Sequence, residues 1–257
     1  MGKMFKSICM AAALTVGPVA AHAAYINVGG VVWDPDEPTW DFSSNTNLVE
    51  VAASQTGEVI DGYGIANLLN GDSSSSFCPS CELTYVFGGY TLVDLNPTDP
   101  TTGISPTGGF AFTGGWLKVY VDHTPDYDSD VKASAEDGTL WLDLLAVDIN
   151  GDNTGITLGG QLTLPVAQGI GGTGFGYFDV IGGLAMGNLD TNEQAGGRDL
   201  AYTSSFQPFP NGNTTPEGYT HYGTGDLSGS SIPEPSTIAI FGISLLGLGL
   251  VRRRKKA

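Results

Sequence analysis

The residues of greatest chemical potential are carboxylates in alternation. Asp122, Asp126, Asp128 and Asp130 crowd one segment, and Asp126-x-Asp128-x-Asp130 spaces its acids like the first positions of an EF-hand loop. Asp137 stands at the twelfth position of that frame, but Val131 occupies the sixth, where the sharp turn needs Gly. Asp148-Ile149-Asn150-Gly151-Asp152 repeats the alternation, with Gly159 in place of its twelfth-position acid. Neither segment is an EF-hand. Ca²⁺ takes oxygens in flexible geometry, so Asp122, Asp126, Asp128, Asp130, Asp148, Asn150 and Asp152 are candidate ligands of calcium-binding β-loops. Turns favour Asp and Asn for backbone reasons as well, and that alternative stays open.

Other chemistry is sparse. Cys78 and Cys81 are the only cysteines beyond Cys9. Two thiols cannot complete a four-thiolate zinc site, and an oxidising compartment closes such a pair into a local disulfide. A redox role would need a thioredoxin-like βαβ context, which is missing. Gly169-x-Gly171-x-x-Gly174 matches a dinucleotide fingerprint by chance, because no helix follows it. His123 and His221 are the only histidines after His22, and neither His-Glu-x-x-His nor Gly-x-Ser-x-Gly occurs. The expectation is therefore a chain that is not an enzyme, with a secreted hydrolase the least favoured reading. Trp33, Trp40, Trp116 and Trp141 either pack a core or stack on sugar rings. Trp141 has the opposite parity to Leu140 and Leu142, which predicts that it faces outward.

The elements that must position these residues read as strands. Residues 82–87, 89–94, 116–121, 139–149, 158–166 and 175–181 alternate or are rich in aromatic and β-branched types. Gly88-Gly89 marks a bulge or bend between the first two. Asp-Gly at 61–62 and 137–138, and Asn-Gly at 70–71 and 150–151, mark tight turns. The pattern predicts an all-β body over residues 24–206, an antiparallel β-sandwich or jelly roll. From 207 to 232 the apolar periodicity fades among Gly, Pro, Thr and Ser, which predicts a flexible spacer.

The two ends read differently. Lys3 and Lys6, an apolar run from Ile8 to Ala21, and Ala21-His22-Ala23 make residues 1–23 a signal peptide. Near the other end, residues 236–251 carry no charge, and Arg252, Arg253, Arg254, Lys255 and Lys256 follow. As a helix that run is about 24 Å long, a short transmembrane span held by a basic stop-transfer cluster. Between the ends, residues 24–232 hold only Lys118, Lys132 and Arg198 against 26 acids, a net charge of −23. That balance excludes nucleic acid as a partner and suits divalent cations or neutral and cationic ones.

Pro233-Glu234-Pro235, the apolar run and the basic cluster together closely resemble the PEP-CTERM sorting signal over residues 233–257. The resemblance implies recognition of Pro233, Glu234 and Pro235 by an exosortase, an integral-membrane protease. It also implies a precursor anchored in the inner membrane of a Gram-negative bacterium, then a place on the outer surface or in the extracellular matrix. Phe77-Cys78-Pro79-Ser80-Cys81-Glu82-Leu83-Thr84 and Gly115-Trp116-Leu117-Lys118-Val119-Tyr120 look like segments of uncharacterised PEP-CTERM surface proteins. What the family implies is a non-catalytic surface or matrix protein associated with exopolysaccharide and biofilm. A calcium-assisted carbohydrate-binding module is the alternative, with matrix proteins as further candidate partners.

Overall fold

Alternation builds the wall of the molecule. The structure is a computed structural model that describes residues 25–35, 41–96, 109–164 and 170–232. The expected signal peptide and sorting tail, and Trp40, lie outside these residues. β1 (Ile26–Val28) and β2 (Val31–Trp33) form a small hairpin. β3 (Phe42–Glu50), β4 (Val59–Leu69), β6 (Glu82–Asn96), β7 (Gly109–Asp122), β8 (Thr139–Val147), β9 (Ile156–Leu164), β10 (Gly171–Gly182), β11 (Leu200–Pro208) and β12 (His221–Gly229) make the main sheet. β5 (Asp72–Ser73) is a short annex of β4.

All pairings in the main sheet are antiparallel, and they close. The order β11-β12-β3-β4-β6-β7-β8-β10 returns to β11 through the β10–β11 ladder, giving an eight-strand barrel. β9 continues the slot that β8 begins: both pair with β7 on one side and β10 on the other. Residues 148–155 are an excursion between them, its base closed by the Ile149 N–H donating to the Ile156 carbonyl at 2.8 Å. The body is thus one closed barrel and not the two stacked sheets of a sandwich. Closure follows from long strands that bend: β6 and β7 span 15 and 14 residues. Shifts in register interrupt seven of the strand pairings and add curvature. Gly88-Gly89 is a bend within a single strand, since the β6–β7 ladder runs through it from Gly88↔Trp116 to Tyr90↔Gly114. There Gly115 has φ +102°, and a Cβ would lie 2.2 Å from the Tyr90 ring.

Inside is apolar. β3 turns Phe42, Ser44, Thr46, Leu48 and Glu50 inward, and its outward Asn45 and Asn47 meet solvent. β11 likewise buries Leu200 and Tyr202 and exposes Thr203, Ser205 and Gln207. On these two strands that polarity is the reverse of what a lipid-facing wall requires, while Leu145, Phe175 and Ile181 are exposed on β8 and β10. One end of the lumen is plugged by aromatic rings: Trp33 meets Trp141 edge-on at 5.8 Å, and Phe42 stacks on Trp141 at 6.1 Å. The β1–β2 hairpin, α1 (Ser74–Phe77) and α2 (Met186–Leu189) cover this end.

Two expectations fail here. Trp141 is fully buried and donates its indole N–H to the Val28 carbonyl at 2.9 Å. The cause is a bulge: Val119 pairs with Leu142 but Tyr120 with Leu140, so Trp141 is an extra residue and parity reverses. The spacer also proves to be wall. β12 pairs with β11 from Pro208↔His221 to Leu200↔Gly229 and with β3 on its other edge. Its inner face is His221, Gly223, Gly225, Leu227 and Gly229, and these glycines leave room for neighbours instead of contributing apolar side chains. A Cβ on Gly225 would meet the Tyr202 ring and Thr46 Oγ1 at 3.2 and 3.3 Å.

Candidate functional site

Two segments cross the outside of the barrel and make a second apolar layer. Residues 124–136 and 209–220 lie over the outward side chains Val49, Tyr63 and Val86. The segments are tied to the wall and to each other. The Tyr63 hydroxyl donates to the Ser129 carbonyl at 2.7 Å, and the Tyr219 hydroxyl to Asp61 at 3.1 Å. Lys132 pairs with Asp61 at 3.4 Å, while its N–H donates to Glu217 at 3.0 Å. Burial raises the Tyr63 and Tyr219 hydroxyls above the usual tyrosine range, with neighbouring carboxylates adding to it, and pushes Tyr127 up to about 12. All three therefore stay neutral, and Tyr63 and Tyr219 act as donors.

Between the two segments runs a groove of ≈ 390 Å³ over β3 and β12. Phe209 and Tyr222 line it as neighbouring rings 5.1 Å apart and tilted by 31°. Asn47, Asp130 and Thr214 supply polar atoms along the same groove. Half-buried aromatic faces beside amide, hydroxyl and carboxylate groups suit a neutral or cationic ring-shaped ligand that offers C–H faces and hydroxyls.

The candidate metal ligands do not converge. Asp122 and Asp126 come together, but their third member is Glu82, all within 4.8 Å. Glu82 accepts from the Asp126 and Tyr127 N–H groups at 3.1 and 3.0 Å, so it orders the chain after β7. Burial raises its carboxyl above the usual range, and those N–H groups oppose the shift. Asp128 accepts from the Asp130 N–H at 2.9 Å, a local turn. Asp148, Asn150 and Asp152 sit apart in the 148–155 excursion. There Asp148 accepts from the Asn150, Gly151 and Gly155 N–H groups at 2.9, 2.8 and 2.8 Å, which hold its carboxyl below the usual range. Asp152 accepts from the Thr154 N–H at 3.1 Å. Arg198 clamps the excursion through the Asp148 carbonyl and lies over the Tyr177 ring at 4.9 Å. Turn formation explains this segment without a metal.

Cys78 and Cys81 are disulfide-bonded, their Cα atoms 5.0 Å apart, beside α1. Trp33 joins Trp141 in the core. Trp116 lies half-buried outside, with Lys118 over it at 5.9 Å. Sequence reasoning passes over Glu82, Phe209 and Tyr222. Glu82 opens a strand far from the Asp cluster in sequence. Phe209 and Tyr222 fall where glycine and proline hide the strand, although the aromatic content of that stretch is a signal.

Comparison with curated proteins and with solved structures returns no match. The family model of the PEP-CTERM protein-sorting motif matches residues 231–255, directly after β12. The motif implies export, a membrane-anchored precursor and processing by an exosortase. Behind the closed barrel, then, the chain carries a PEP-CTERM protein-sorting motif.

Proposed function

We propose that this chain is a non-catalytic surface or extracellular-matrix protein of a Gram-negative bacterium, associated with exopolysaccharide. The observation that carries the reading is the sorting motif at residues 231–255 behind a closed, acidic barrel. The body is the cargo, Pro233, Glu234 and Pro235 are the recognition residues, and residues 252–256 hold the precursor in the inner membrane until processing. The test is to express the full chain in the producing cell beside a variant with Pro233, Glu234 and Pro235 replaced by Ala. The native protein should reach the outer surface or matrix with its tail removed, and the variant should stay in the inner membrane. Surface material that retains an intact tail overturns the processing claim.

The groove supports a second reading, a carbohydrate-binding module. Phe209 and Tyr222 give a stacking surface, and Asn47, Asp130 and Thr214 give hydroxyl partners. Its calcium part rests on Glu82, Asp122 and Asp126 alone. The exported protein should bind the organism's own exopolysaccharide saturably, and Phe209→Ala with Tyr222→Ala should weaken binding about tenfold or more. Unchanged binding in the double variant moves the site elsewhere, and insensitivity to chelator removes calcium from the reading.

A further inference from the structure

The lumen has a second end. Opposite the Trp33–Phe42–Trp141 plug, β3 carries Glu50 inward at 8 % exposure. Among the described residues, no hydrogen bond or ion pair engages its carboxyl. Beside it Phe87, Tyr90, Phe110, Leu117, Ile170 and Phe206 surround a cavity of ≈ 40 Å³. A single water needs about 10–15 Å³ of such space, so the cavity admits about three waters or one small organic molecule. Native interiors pair their buried polar groups, and a lone carboxyl aimed into an apolar cavity is a departure that calls for a partner.

The neighbours decide which partner fits. Gly62 faces Glu50 from β4 and brings no side chain. His221 is its cross-strand neighbour on β12, but both ring nitrogens are occupied, at 2.7 Å from the Ile170 carbonyl and 2.8 Å from Thr220 Oγ1. Tyr85 from β6 is already bonded to Thr46 and the Asn47 carbonyl. Tyr90 from β6 and Tyr202 from β11 complete the titratable surroundings. Lys118, Lys132 and Arg198 are engaged elsewhere, with Asp143, Asp61 and the Asp148 carbonyl. An anionic ligand such as a fatty acid thus finds no counter-charge, whereas a cation finds a carboxylate.

We propose that this end of the barrel lumen binds a small apolar amine, its ammonium on the Glu50 carboxylate and its hydrocarbon part against Phe110, Leu117 and Phe206. The site is separate from the outer groove and from the sorting tail, so it stands or falls without them. Each methylene buried adds about fourfold to affinity. The ion pair in an apolar site supplies the selectivity.

Proton balance gives the site a signature. Burial pushes the empty Glu50 carboxyl up to about 8, so below that pH it is protonated. An ammonium that docks forms an ammonium–carboxylate pair, and the carboxyl proton leaves to solvent. Affinity therefore rises about tenfold per pH unit up to about 8 and levels off above it. His221, lowered by burial, and Tyr85, Tyr90 and Tyr202, raised by it, stay neutral between pH 6.5 and 8 and do not compete.

The test is calorimetric titration of the exported protein, recovered from cells expressing the full chain, with n-butylamine, n-butanol and butyrate at two pH values. The amine should bind once per chain, release one proton and bind about tenfold tighter at pH 7.5 than at 6.5. Butyrate should give no heat. Glu50→Gln should lose amine binding while keeping a cooperative melt. Phe206→Trp, which fills the cavity and leaves Glu50 in place, should block it as well. Absence of amine binding overturns the proposal, as does equal binding of amine and alcohol without proton release, which marks a merely apolar lumen. Undiminished binding in Glu50→Gln overturns it too.

Discussion

Glu50 and His221 are neighbours across β3 and β12, and burial shifts them in opposite directions. The Glu50 carboxyl moves from 4.5 to about 8, so between those values the folded chain keeps a proton that the unfolded chain has lost. Glu50 therefore lowers stability progressively as pH rises from 4.5 to about 8, by on the order of 5 kcal/mol in all. His221, depressed below 6.5, works the other way: its contribution is lost as pH falls through and below 6.5. Urea unfolding at pH 5, 6.5 and 8 should show Glu50→Gln with a much flatter pH dependence above pH 6.5, and an unchanged slope would sink this assignment. Trp141 illustrates what parity alone cannot supply. The apolar alternation of β8 is plain in the sequence, yet the extra residue that turns Trp141 inward is visible only in its ladder with β7. Trp141→Ala should cost about 3–5 kcal/mol of stability, measured by chemical denaturation, because it empties the aromatic plug. A cost near zero would mean that the outward reading was right after all.

Among the elements, β12 and the 148–155 excursion carry the same lesson about small residues. Strands whose inner faces are Leu, Val, Phe and Tyr, such as β6 and β7, are legible from their side chains. β12 is not, because its place is secured by two ladders and by Gly225, which yields space to Tyr202 and Thr46. The Asp-rich excursion reads as a metal loop because liganding and turn formation favour the same residue types. In the fold, Asp148 spends its oxygens on backbone N–H groups. Asp148→Ala should therefore speed hydrogen exchange at Asn150, Gly151 and Gly155 by on the order of tenfold, with the barrel strands unaffected. The effect should be the same with calcium or chelator. A calcium-dependent difference would return the excursion to the list of metal sites.

At the scale of the whole molecule, the all-β class and the sorting motif are legible, while closure is not. Closure depends on which edges meet, and the meeting of β10 with β11 leaves no mark in local pattern. Since β12 bridges β11 and β3, a chain ending at residue 206 should lack a stave and fail to melt cooperatively, whereas one ending at 232 should melt cooperatively. Equal melting of the two, followed by circular dichroism, would reinstate the spacer. Beyond Gly229 the wall still holds the chain: Trp33 donates to Ser231 at 3.2 Å, and the Ile232 N–H and carbonyl both meet Asn188 at 2.8 Å. Ser231 and Ile232 also belong to the sorting match at residues 231–255. Completion and dispatch are thereby set on one clock. β12 precedes Pro233 in the chain, so a chain shortened before β12 has neither its last stave nor the signal. Where a membrane protease processes this tail, as the motif implies, reading it also certifies that the last stave has been made.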